Sequence, residues 1–294
     1  MLKDTPFVIT RKFIDDIVSK EEELFKKDLL ENYPEDVKNQ FDVIEKSVIH
    51  TRINGYIVND SIGRKTRVFD ANIFMSAIVK DVRERIINIV LKHTHISPGK
   101  ILMHTFPLVL FSTIRDNFTN DSDFILMDIT SEITDVALVS DDVITKTNSF
   151  PFGRNSIIRQ IAKVFNVSLE IAESTLHMYM SSKVDDTTRL LMQNLFNDME
   201  KEWEIYFKDM LLALSPNIIL PKDVYITADS DVAPIFVDFL KLPKKDITTN
   251  FRKNINITHV SKDLLSPFYT NDSKMQEDEF ITILAIFYNK LLFL

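Results

Sequence analysis

The chain has 294 residues and a formal net charge of −8, from 35 Lys and Arg against 43 Asp and Glu, which disfavours nucleic acid as the main partner because that contact needs a basic face. It holds no cysteine, so disulfides, zinc–thiolate sites and thiol catalysis are excluded, and a reducing compartment fits. The opening stretch MLKDTPFVITRK has no apolar signal core, and no run of about 18 apolar residues offers a membrane span.

Phe7-Val8-Ile9 reads as a short strand. Thr10 is a candidate N-cap for a helix in which Phe13, Ile14, Ile17 and Val18 recur at helical spacing. That helix is expected to pass through Glu21-Glu22-Glu23, a solvated face, and to run to Leu30 before Pro34. Phe41 to Tyr56 is rich in β-formers, Asn59 to Gly63 has turn chemistry, and Lys65 to Ala71 reads as the returning strand. The spacing of Ile78, Val82, Ile86 and Ile89 predicts a helix over about Ser76–Lys92 with one apolar stripe. Thr94 to Gly99 marks a boundary. Beyond it, Lys100–His104 reads as a short strand, and Pro107 suits the first turn of a helix carrying Leu108 to Phe118.

Ser122 to Ser140, SDFILMDITSEITDVALVS, is the stretch with the most chemistry. Phe124–Met127 is an apolar run ending in Asp128; Thr130-Ser131-Glu132 is a polar knot; Thr134 to Val139 returns, with Asp135 near its start. A strand, a tight polar turn and a strand with an acid at each edge is an arrangement that holds a phosphate and its metal in nucleotide-binding proteins. The same two acids also serve as strand-end groups capping turn N–H groups. Val143–Asn148 adds a third antiparallel strand. Helices are expected around Ile157–Phe165, after the cap Ser168, over Thr187–Leu214 with Leu191, Leu195, Trp203, Met210 and Leu214 on one buried face, and through Phe236–Leu240. Val224–Thr227 and Asn254–Val260 read as strands, and Glu277–Leu294 as a closing helix that belongs to the core rather than to a membrane surface.

Only four glycines occur, Gly55, Gly63, Gly99 and Gly153. A phosphate-wrapping loop brings backbone N–H groups close to the anion, often at positive φ, and needs glycines in a cluster. Neither a P-loop nor G-x-G-x-x-G can be drawn from this chain. His93, His95 and His104 lack carboxylates at ligand spacing, so no metal centre is read there. No G-x-S-x-G elbow supports a catalytic serine.

The order of elements and three motifs resemble the actin-like ATPase superfamily, and within it the bacterial FtsA and PilM group. Asp128-Ile129-Thr130-Ser131-Glu132-Ile133-Thr134-Asp135 is similar to the group's second phosphate loop, D-I-G-G-G-T-T-D. Phe150-Pro151-Phe152-Gly153-Arg154-Asn155-Ser156 is similar to the P-x-G-x-x-x-T turn that follows, and Ala172-Glu173 to an A-E pair that reaches the ribose. Val224 to Ser230 is similar to the strand entering the adenosine loop, where Ala228-Asp229 stands for a glycine pair. The resemblance implies an α/β fold: a strand-helix-strand-strand inserted subdomain over 1–98 and an actin-like (ribonuclease H-like) lobe over 99–294. It also implies that the N-terminal subdomain, with the first phosphate loop, is lacking.

By the same resemblance the nucleotide-side residues are Asp128, Thr130, Ser131, Thr134, Asp135, Glu173, Ala228 and Ser230. The lost glycines, a Glu132 expected to face the phosphate, and Leu176 where the group often has Lys argue for a degenerate site. The leading expectation is therefore a non-catalytic scaffold in cell division or in pilus or secretion assembly, with no cofactor and no metal. Its partners would be proteins, a tubulin-like division protein or pilus-assembly components, with self-association through the inserted subdomain. The alternative is a weak ATP-binding ATPase, or a fragment of one, with Mg²⁺ held beside Asp128 and Asp135. The expected location is cytoplasmic, at the inner face of the plasma membrane if peripheral.

Overall fold

The computed structural model describes residues 2–32, 40–119, 121–214, 220–241, 255–270 and 278–292. The expected helix stop at Pro34, the strand start at Asn254, and Glu277, Phe293 and Leu294 of the closing helix lie outside them. The chain forms two units, Met1–Leu108 and Val109–Leu294.

In the first unit, β1 (Leu2–Val8) leads to α1 (Arg11–Asn32), then β2 (Phe41–Ile53), β3 (Tyr56–Val58), β4 (Lys65–Val79) and α2 (Lys80–His93). The strands form one antiparallel sheet in the order β1-β4-β2-β3. Thr10 caps α1, its Oγ1 accepting from the Phe13 N–H at 3.1 Å. β2 turns at Asn54-Gly55, where both residues have positive φ, 51° and 86°. Asn-Gly suits that two-residue hairpin because its twist matches the strands. The chain thus reverses before the expected turn at Asn59–Gly63, and β3 is an added strand.

The helix expected from Ser76 starts at Lys80. Residues up to Val79 pair with the first half of β2, from Val48↔Ile73 to Phe41↔Val79, and that long-range pairing overrides the helical spacing. The predicted stripe consequently faces outward: Val82, Ile86 and Ile89 are 46%, 40% and 61% exposed. Lys100–His104 is not a strand either. A 3₁₀ turn at Pro98–Lys100 gives way to a segment outside any ladder. Buried Glu45 holds its end: the carboxylate accepts from Thr105 Oγ1 (2.9 Å) and Ser76 Oγ (3.2 Å) and lies 2.5 Å from His104 Nδ1.

The division between units falls inside α3 (Phe106–Asn117). The second unit continues with β5 (Phe124–Ile129), β6 (Thr134–Ser140), β7 (Val143–Phe150), α4 (Arg154–Phe165), α5 (Leu169–Met180), α6 (Asp186–Leu214), β8 (Asp223–Ala228), α7 (Ala233–Lys241), β9 (Asn256–His259), α8 (Lys262–Leu265) and α9 (Glu279–Leu292). The sheet order is β7-β6-β5-β8-β9, with β5, β8 and β9 parallel and β6 and β7 forming the expected meander. β5 is buried at every position, as its unbroken apolar run requires. Ile125, Met127 and Ile129 join a core built with α4 to α7, while Phe124 stacks on Phe111 of α3 at 6.3 Å.

Along α6, Met192, Leu195, Met199, Trp203, Phe207, Met210, Leu211 and Leu214 are buried. Leu191, expected on that face, points outward, and Met192 takes its place. Trp203 stacks on Phe207 with centroids 4.6 Å apart. α9 is only partly core: Ile283 and Phe287 are buried, but Ile281, Leu284 and Tyr288 are exposed. No helix among the described residues is long and apolar enough to cross a membrane.

Candidate functional site

The strand ends of the second unit gather four carboxylates. Cross-strand register sets Asp128 of β5 opposite Asp135 of β6 on one side and Thr227 of β8 on the other. Residues opposed in a ladder point to the same face. Asp128 is buried, and its Oδ1 accepts from Thr227 Oγ1 at 2.8 Å. Burial pushes its carboxyl up to about 6, with the charges of Asp135 and Asp229 adding to the rise and the Thr227 hydrogen bond opposing it. Burial also raises Asp135. Asp229 is raised by burial and then by Asp231, against Arg154.

The polar turn between β5 and β6 closes on itself and on α4. The Thr130 N–H and Oγ1 both donate to the Ile133 carbonyl at 2.9 Å. The Thr130 and Ser131 carbonyls accept the N–H groups of Arg154 (3.0 Å) and Asn155 (2.8 Å), the first two amides of α4. The next amide, Ser156 N–H, goes to the Gly153 carbonyl at 3.0 Å. The N-terminal amides that make a helix start an anion site are therefore engaged by the chain itself. Gly153 has an ordinary extended backbone and is required here for space: a Cβ would stand 2.4 Å from Thr130 O, 2.7 Å from Ser131 O and 2.8 Å from Glu132 N. Glu132, expected to face a phosphate, instead lies against α4. Its carboxylate accepts from Asn155 Nδ2 (2.8 Å) and Arg159 Nη1 (2.9 Å), which lower its pKa in that order.

Arg154 joins three segments. Its guanidinium donates to Asp231 through Nη2 (2.6 Å) and Nε (3.1 Å) and to Glu173 of α5 through Nη2, and its Nε lies 3.5 Å from Asp229. Side-chain exposure is 17% for Arg154 and 10% for Asp231. These bonds, Asp231 first, raise the Arg154 pKa further above its already high value. Glu173, His177 and Asp231 offer ligand atoms within 4.8 Å of one another, and two of the three are already bonded to Arg154.

The expected site residues divide accordingly. Asp128 and Asp135 are side by side. Thr130 and Ser131 form the closed turn. Thr134 is fully buried, its Oγ1 donating to the Phe152 carbonyl at 2.7 Å, and Ala228 is fully buried in the core. Glu173 is bonded to Arg154, and Ser230 is exposed after β8. Sequence reading missed Arg154, Asp231 and Thr227 as site members. The available signal was Arg154 itself, a basic residue directly after the glycine of the turn motif.

No protein-family model matches the chain, and no curated protein sequence matches it. Comparison with solved structures finds a PilM–PilN type IV pilus biogenesis complex at 13% identity and TM-score 0.54, covering 97% of this chain and 75% of that one. The fold is actin-like. Matches at lower overlap are the ethanolamine utilization protein EutJ from Carboxydothermus hydrogenoformans (18% identity, TM-score 0.35, covering 51% of this chain and 48% of that one) and MreB 5 of Spiroplasma citri bound to AMPPNP (13%, TM-score 0.42, 73% and 66%). The chain spans less than two thirds of those two proteins' lengths. The actin-like fold places the hairpin of β5 and β6, the start of α4, α5 and the β8–α7 turn around one cluster of carboxylates with Arg154 among them.

Proposed function

We propose that the chain is a non-catalytic actin-fold scaffold that acts through protein contacts and holds no nucleotide. The observation that carries this reading is Arg154, whose guanidinium joins Asp231, Glu173 and Asp229. Two of these, Glu173 and Asp229, stand at the positions that the family resemblance gives to the ribose and the adenosine loop. A nucleotide entering there would break those bonds. The engaged amides of α4 support the same conclusion: a phosphate would have to displace the Thr130 and Ser131 carbonyls that already accept them. Protein partners of the pilus-assembly kind come first, because PilM is solved in complex with PilN and shares the fold over most of this chain; a tubulin-like division protein comes next.

The test is a thermal melt with Mg²⁺ and ATP at millimolar concentration. A ligand at 100 times its Kd adds roughly 2.7 kcal/mol to stability; the expected result is no shift, and a clear rise overturns the reading. Sedimentation alone and with purified candidate partners tests the scaffold itself, and a chain that bound neither itself nor any of them would count against it. One feature favours the alternative, a weak ATPase: the repelling pair Asp128 and Asp135, whose raised pKa values a divalent cation would relieve. On that alternative Mg²⁺ alone raises the melting temperature.

A further inference from the structure

We propose that the β2–β3 turn of the first unit is a membrane-contacting wedge that enters the interface of an anionic lipid surface. β3 is a three-residue edge strand paired only to β2. Its side chains are exposed and apolar, Tyr56 at 78% and Ile57 at 50%, with Ile62 of the following loop at 47%; α2 shows a second outward apolar stripe in Val82, Ile86 and Ile89. Register sets Tyr56 opposite Ile53 and Ile57 opposite Arg52, so the two side chains project from opposite faces of the ribbon. Asn54-Gly55 makes the narrow tip.

Behind the tip, Arg64, Lys65 and Arg67 are exposed and form no ion pair within the described residues. Arg52 stands opposite Asp70 in the ladder, which leaves three basic residues and one acid between positions 53 and 67. That acid, Asp60, accepts the Ile62 N–H through Oδ1 at 3.0 Å.

Charge and shape together select the partner. A chain with net charge −8 is repelled by an anionic surface unless it presents a basic corner, and such a corner both attracts and orients it. A protein face covers one side of a ribbon. The headgroup region surrounds a wedge and covers both sides, and a tyrosine with an apolar ring and a polar tip suits that depth. The apolar area is small, so the contact is reversible and depends on the basic residues as a second attraction.

The test is flotation of the full chain with vesicles of phosphatidylcholine alone and of phosphatidylcholine mixed with phosphatidylglycerol, at low and raised salt. Recovery is expected with the mixed vesicles only, and raised salt should release the chain. Replacing Arg64, Lys65 and Arg67 by Gln should lower partitioning about fivefold for each charge removed. The double variant Tyr56→Ser, Ile57→Ser should also lower it, with the melting temperature unchanged because both side chains are exposed. Failure to float with phosphatidylglycerol overturns the proposal, as does recovery that the variants leave unchanged. Loss of binding to a purified acidic protein in the same variants, without vesicle binding by the parent chain, assigns the tip to a protein surface and overturns it equally.

Discussion

Arg154 and Asp128 pull the stability of the second unit in opposite directions. Replacing Arg154 by Gln leaves Asp231, whose side chain is 10% exposed, without its strongest partner. The expected loss is about 2 kcal/mol, in the range of hydrogen bonds to charged groups, read as a lower urea midpoint at unchanged slope. Asp128 shows the reverse. Its folded-state carboxyl sits at about 6, above the usual value near 4, so the folded chain holds the proton more tightly than the unfolded one. Stability therefore falls as pH rises from about 4 to about 6 and stays reduced above that window. Asp128→Asn keeps an acceptor for Thr227 and removes the charge. It should add about 2 kcal/mol near pH 8 and almost nothing near pH 4; urea titrations at the two pH values check this, and an equal effect at both would refute it.

At the level of elements, the β5–β6 hairpin was readable from the chain because its information is local: an apolar run, a polar turn and an alternating return. The meander, α6 and the Thr10 and Ser168 caps were readable for the same reason. The boundary between β4 and α2 was not, since Ile73–Val79 becomes a strand only by pairing with residues some thirty positions earlier. Nor was the Arg154 cluster, whose members lie 19 and 77 positions apart and meet only in the fold. Gly153 is where turn and helix touch most closely. Gly153→Ala should cost about 1–3 kcal/mol by overpacking, because all three atoms its Cβ would meet are backbone. A melting temperature equal to that of the parent chain would show that the turn can move away.

For the whole molecule, the two units carry unequal cores. Among the described residues, the fully or nearly buried apolar side chains of the first unit are Ile9, Phe69 and Leu108, whereas thirty residues form one buried cluster in the second. Burial of apolar surface is the main stabilising contribution. The single tryptophan, Trp203, is buried in the second unit, so its fluorescence reports that unit alone, while far-ultraviolet circular dichroism reports both. The expected result is that the circular dichroism signal starts to fall at lower urea than the tryptophan signal; coincident transitions would mean one cooperative unit.

A guanidinium tethered to the chain differs from a diffusible ligand in one respect with cellular meaning. Its local concentration is fixed by covalent connection, so its occupancy does not follow mass action with any metabolite pool. On the nucleotide-free reading proposed above, such a protein is not reset by hydrolysis and exchange, and it carries no timer. Whatever it assembles would have to be governed by how many copies the cell makes and by what its partners do.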